Sequence, residues 1–196
     1  PDLDTLAALA AQVEEVVETL PGIRSVYAER ITGGNYLDVD IDRFMGDWYV
    51  VANIPTFLEK GAHNAVETYA RNGDGSIATT FTFREGGFDG ELKEYNPTGF
   101  IQDTQTNALW GMQFIWPIKA DYRIVYLDDD YTKTVIAREA RDYVWIMARK
   151  PQLTDTEYEK IRQFVASIGY DTSKLNRVPQ SWPEKSFNGI ETKESS

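Results

Sequence analysis

The chain of 196 residues contains no cysteine and a single histidine. Without cysteine there is no disulfide framework, no thiolate metal site and no thiol nucleophile. With His63 as the only imidazole, neither a Ser-His-Asp triad nor a multi-histidine metal site can be assembled. Basic residues are also scarce: 20 Lys and Arg stand against 31 Asp and Glu, for a formal net charge of -11, and no stretch clusters Lys and Arg. A phosphate-binding groove needs such clusters, so nucleic acid is excluded as a partner and electrostatic adsorption to anionic lipid is disfavoured. No apolar run approaches the roughly 20 residues of a membrane helix, and no charged-then-apolar leader opens the chain, which reads as soluble. Pro1 is not a translation start, so an upstream signal, lipidated residue or tag is expected to have been removed, which leaves membrane association through such an anchor open.

The length suits one domain with a sizeable core and an appended segment. Leu3, Leu6, Leu9, Val13, Val16, Val17 and Leu20 recur at helical spacing, predicting a helix over 1–22 that Pro21-Gly22 ends. A connector through Gly33-Gly34-Asn35 leads to residue 37. This helix can dock on the main domain, pair two subunits as a homodimer, or space the domain from an anchor, and docking is the simplest reading. From Asp38 the pattern is β, with strands predicted over 48–54, 64–71, 77–84, 90–101, 108–116, 122–127, 132–138 and 143–149. Asn72-Gly73-Asp74-Gly75 is a hairpin signal, and Pro97 with Gly99 marks a bulge or an edge in the fourth strand. Short sequential strands favour an antiparallel up-and-down barrel, whose closure removes exposed edges. Thr154 and Glu157 form a capping-box pattern ahead of an apolar stripe, Tyr158, Ile161, Phe164, Val165 and Ile168, predicting a terminal helix packed on the barrel. The resulting division is 1–37 for the N-terminal helix and connector, 38–180 for barrel and terminal helix, and 181–196 for a flexible tail, with mobility expected from about Pro179.

Two features of the strands point to function. Gly46-Asp47-Trp48 opens the first strand and Arg149 ends the last, so closure makes them neighbours. An arginine across the Trp48 face, donating to terminal carbonyls, would form a structural clasp of Gly46, Trp48 and Arg149 that seals one end and leaves the other open. Strand alternation then gathers one face from Trp110, Met112 and Phe114, from Tyr122, Ile124 and Tyr126, and from Tyr143, Trp145 and Met147. A filled core would prefer aliphatic residues. This aromatic and Met-rich face favours a ligand cavity, and these nine residues are its candidate lining.

Gly46-Asp47-Trp48-Tyr49, the Phe57-Leu58-Glu59-Lys60-Gly61 loop, the Leu127-Asp128-Asp129-Asp130-Tyr131 turn and Asp142-Tyr143-Val144-Trp145-Ile146 ending in Ala148-Arg149-Lys150-Pro151 together resemble the lipocalins. The likeness covers about residues 40 to 180 and is greatest to the bacterial outer-membrane lipocalins, near the apolipoprotein D type. It implies an all-β calycin calyx of eight strands that carries or stores a fatty acid or lysophospholipid. It further implies a periplasmic or outer-membrane location, and it puts Tyr122 and Trp145 in the pocket. The group's lipidated N-terminal cysteine and its common disulfides have no counterpart here.

Other residues invite sharper readings that their surroundings do not support. His63 sits in a loop, Asp128, Asp129 and Asp130 lack the ligand spacing of a calcium loop, Glu59 and Lys60 read as rim, and Glu67, Glu85, Glu91 and Glu94 read as surface charge. No cofactor, metal or catalytic residue is assigned. The leading function is binding of a hydrophobic small molecule or lipid. The alternative is an isomerase or other enzyme acting on an apolar substrate in the same calyx, with a tyrosine or buried carboxylate moving the proton.

Overall fold

The structure is a computed structural model describing residues 37–182. Its strands follow the expected period of two. In one of them Ile77, Thr79, Phe81 and Phe83 are buried while Ala78, Thr80, Thr82 and Arg84 are half-buried, as in a sheet with one face on a core. The strands are β1 (Gly46–Ile54), β2 (Ala62–Arg71), β3 (Ile77–Glu85), β4 (Leu92–Tyr95), β5 (Thr98–Ile101), β6 (Leu109–Ile115), β7 (Ile118–Leu127), β8 (Lys133–Ala137), β9 (Val144–Ala148) and β10 (Asn176–Arg177). They pair antiparallel in chain order, and β9 returns to pair with β1, which closes the barrel. The fourth of its eight staves is divided into β4 and β5 at Asn96-Pro97, because proline has no N–H for the ladder. The Pro97 carbonyl still accepts from the Thr79 N–H at 3.1 Å.

Alternation sorts the apolar residues into two clusters. One fills the barrel interior and includes Phe44, Trp48, Tyr69, Trp110 and Met147. The other lies on the outer face of β1, β8 and β9, where Val51, Val135, Val144 and Ile146 meet the terminal helix. A single helical turn, α1 (Ile41–Phe44), precedes β1 with the Asp40 side chain capping it and Ile41 and Phe44 buried in the interior cluster. The terminal helix, α2 (Asp155–Ser167), carries both halves of the expected capping box. It packs Ile161 and Val165 against the outer cluster, with Tyr158, Phe164 and Ile168 beside them. Gly169, at φ +91°, ends it: its N–H reaches the Ala166 carbonyl and the Tyr170 N–H reaches Val165, a Schellman closure that needs the left-handed conformation.

Residues 179–182 run along the barrel with contacts of their own. The Pro179 carbonyl accepts from the Asn64 N–H at 2.9 Å, Gln180 donates to Val50 and Ala65 carbonyls, and Trp182 lies edge-on to Tyr49 at 5.5 Å. The rest of the proposed tail, and the N-terminal helix with its connector up to residue 36, lie outside the described residues. The compact unit that contains the barrel begins at Leu37. A chain lacking residues 1–34 is therefore expected to retain the β circular-dichroism signal and a cooperative melt; loss of either would make the N-terminal segment part of the core.

Candidate functional site

The ends of the chain pattern meet as expected from the sequence. The Arg149 guanidinium lies 3.8 Å from the centre of the Trp48 ring. It donates to the carbonyls of Asp47, Arg43, Phe44 and Met45 at 2.8 to 3.1 Å, and its Nε donates to Tyr131 at 3.3 Å. The first four carbonyls run from the end of α1 through Met45 into the start of β1, where Gly46 at φ +91° lets the chain pass beneath the guanidinium. Arg43 in turn lies over Tyr131 at 3.9 Å, so the β7–β8 turn is tied to the same end. Asp128 organises that turn by accepting from the Thr132 and Lys133 N–H groups, which gives its carboxylate a backbone role.

Above this end the barrel is solid. Phe44, Trp48, Tyr69 and Trp110 meet tilted or edge-on with ring centres 5.1 to 5.8 Å apart. A cavity of about 220 Å³ opens only beyond them, toward the loops at the other end. Met112, Tyr122, Phe81, Tyr95 and Trp145 wall it, and Phe57, Leu58, Phe114, Arg138 and Tyr143 surround its mouth. A larger depression of about 730 Å³ lies outside the barrel beside α1 and the 74–76 turn; it is broad, polar and open to water, so it lacks the enclosure of a ligand site.

Of the nine expected lining residues, the structure brings five to the cavity: Met112, Phe114, Tyr122, Tyr143 and Trp145. Phe114 is half exposed, at the mouth rather than in the wall. Trp110, Ile124 and Met147 face inward as alternation requires, but they are buried in the filled half below the cavity. Trp110 stacks on Tyr122 at 5.6 Å and donates its indole N–H to the Asn107 carbonyl. Tyr126 is a correction. The β7–β8 register shifts between Ile124 and Tyr126, so Val125 and Tyr126 both turn to the outer cluster, where Tyr126 meets Phe164 of α2 at 5.3 Å.

Two carboxyl groups read from the sequence as rim and surface charge are instead buried against this cavity. Glu67 lies in β2 between Ala65 and Tyr69, all three buried on one face, and Glu59 closes the loop after β1; each is 8% exposed. Glu59 is well supplied with donors: the Trp145 indole N–H at 2.7 Å, the Asn53 amide at 3.1 Å and the Thr56 hydroxyl at 3.0 Å. Burial raises its pKa and these three hydrogen bonds oppose the rise. Glu67 has only phenols. Tyr69 donates to its Oε2 and also meets the Tyr122 hydroxyl, which reaches the same oxygen at 3.4 Å. Burial, with the Glu59 charge adding to it, pushes the Glu67 pKa up to about 8, so Glu67 is a neutral acid near neutral pH. Burial and the Glu67 charge likewise hold the Tyr122 phenol well above its ordinary value. The sequence signal for Glu67 was its alternation with Ala65 and Tyr69.

Residues 39–180 match the lipocalin-like domain family. The chain is 30% identical over 155 residues to temperature-induced lipocalin-1 of Arabidopsis thaliana, covering 73% of this chain and 80% of that one. It is 26% identical over 151 residues to the outer membrane lipoprotein Blc of Escherichia coli K12, covering 72% and 79%. Among solved structures, lobster apocrustacyanin A1 superposes with a TM-score of 0.58 at 15% identity, covering 73% of this chain and 81% of that one, a likeness of fold. No helix among the described residues is long and apolar enough to cross a membrane. A closed antiparallel barrel of eight staves, an arginine-on-tryptophan clasp at one end, a cavity at the other and a family match spanning them together establish that the chain belongs to the lipocalin family, whose members bind small hydrophobic ligands.

Proposed function

We propose that this lipocalin binds and carries or stores a single-chain lipid, a fatty acid or lysophospholipid, without turning it over. The observation that carries the reading is the cavity: about 220 Å³, enclosed by aromatic and methionine side chains and sealed from below by the aromatic pile. Removing an acyl chain from water contributes about 0.8 kcal/mol per methylene, so several buried methylenes suffice for useful affinity before any head-group contact. Arg138 stands at the mouth, where a carboxylate or phosphate head would meet it. Its Nε is buried without a hydrogen-bond partner among the described residues, which leaves a donor for such a head. A periplasmic or outer-membrane location and association through an N-terminal anchor rest on likeness to the outer membrane lipoprotein, and a homodimer on the apolar stripe of the N-terminal sequence; cell fractionation and native mass spectrometry test them.

Titration of delipidated protein with oleate or a lysophospholipid is expected to change tryptophan fluorescence saturably, because Trp145 lines the cavity. The ligand recovered afterwards should have unchanged mass; a converted product would favour the enzymatic alternative. Trp145→Ala removes a wall and is expected to weaken binding by roughly 1–3 kcal/mol. Unchanged affinity in a folded Trp145→Ala protein would put the lipid elsewhere.

A further inference from the structure

The cavity holds two buried carboxyl groups in its wall. Glu59 and Glu67 both line it, and neither forms an ion pair among the described residues. Two other charged residues line the same space, and each has a counter-charge of its own. Arg138, in the turn after β8, pairs with Asp142 at 3.1 Å and lies over Tyr143 at 5.3 Å; Asp121 pairs with Arg123 at 2.9 Å. The two glutamates also differ in what they leave unused. Both oxygens of Glu59 accept hydrogen bonds. In Glu67 both phenols converge on Oε2, and Oε1 takes no hydrogen bond from the described residues. In the neutral acid Oε1 carries the proton beside the cavity, where it offers a hydrogen bond to a ligand and, once that proton is lost, a counter-charge.

We propose that the cavity selects its lipid by a cationic end, seating the ammonium of a long-chain primary amine against Glu67 Oε1 with Glu59 nearby, and disfavours a carboxylate at the same depth. The inference rests on the reading of this cavity as the lipid site and names the head-group chemistry that its floor accepts. In a site poor in water, a carboxylate brought to the floor adds an uncompensated charge to a place that holds only carboxyl groups. An ammonium supplies a counter-charge that favours ionised Glu67 and up to three donors, and charge-assisted hydrogen bonds are the stronger kind. Because Glu67 is a neutral acid before binding, seating an alkylammonium transfers the Glu67 proton to solvent while the ligand keeps its own three N–H bonds. A fatty acid can occupy the same barrel in the opposite sense, head at Arg138 and chain inward, without this contact.

The test is calorimetry on the full, delipidated chain with decylamine, decanol and decanoate, which share one chain length. Decylamine is expected to bind about tenfold or more tightly than decanoate, with decanol between, and to release a proton detectable as a dependence of the heat on buffer ionisation enthalpy. Glu67→Gln is expected to weaken decylamine by about tenfold or more, to change decanol by less than about twofold and to abolish the proton release. Proton release by the parent protein needs no variant, and Glu59→Gln, expected to weaken decylamine selectively, gives a second reading. Decanoate binding as tightly as decylamine, or a Glu67→Gln protein in which all three ligands shift alike, overturns the head-group inference while the carrier reading stands. Saturable binding of none of the three overturns both.

Discussion

Arg149→Ala is expected to destabilise the barrel by roughly 2–4 kcal/mol, lowering the thermal midpoint by about 5–15 °C. The guanidinium donates to five backbone carbonyls and covers the face of a fully buried tryptophan. Alanine leaves those carbonyls to water or to nothing. Arg149→Lys should recover little, because one ammonium cannot reach carbonyls of 43, 44, 45, 47 and 131 from a single position or lie flat on the indole. The cavity lies on the far side of the aromatic pile, so relative affinities for different lipids should change little. A melt indistinguishable from that of the parent protein would mean that the contacts at this end add nothing to stability.

Glu67→Gln should raise stability, and the gain should grow with pH. The folded protein holds the Glu67 proton up to about pH 8, whereas in the unfolded chain the same carboxyl ionises near 4.5. Between these values the folded state binds the extra proton, so stability falls as pH rises, and above them the fold carries the full cost of a buried charge. The parent protein should therefore lose on the order of 5 kcal/mol relative to Glu67→Gln across that window. Below pH 4.5 both states are protonated and the two proteins should be nearly equal. Paired denaturant titrations at the two ends of the window make the comparison, since taking the difference between proteins cancels the other carboxylates. A difference independent of pH would show that Glu67 is not a neutral acid in the fold.

The barrel was legible because its signals are local. Period-two burial in 77–84, the turn signal at Asn72-Gly73-Asp74-Gly75 and the Thr154 and Glu157 cap are each written within a few residues. The clasp joins positions 103 residues apart in the numbering from Gly46 to Arg149, yet closure of the barrel alone suffices to bring them together. What stayed hidden depends on exact register and on depth. The irregularity at Val125 carries no glycine or proline to announce it, so alternation alone puts Tyr126 inside where the ladder turns it out. Alternation puts Trp110, Ile124 and Met147 on the inner face, but the position along the barrel at which packing gives way to space depends on how Phe44 and Trp48 fill the end, and alternation holds no information on that. Glu67 is hidden for a different reason: a carboxylate in an acidic chain reads as surface unless its burial on one strand face outweighs its chemistry.

The sealed end also governs exchange. Because the aromatic pile and the clasp close one side, a resident molecule and its replacement must share the mouth framed by Phe57, Leu58, Phe114 and Tyr143. There is no queue through the barrel, as there would be in an open tube. The occupant has to depart before the next can enter, so the turnover of bound molecules follows the residence time of the one already inside, and adding more of the competitor cannot hasten it.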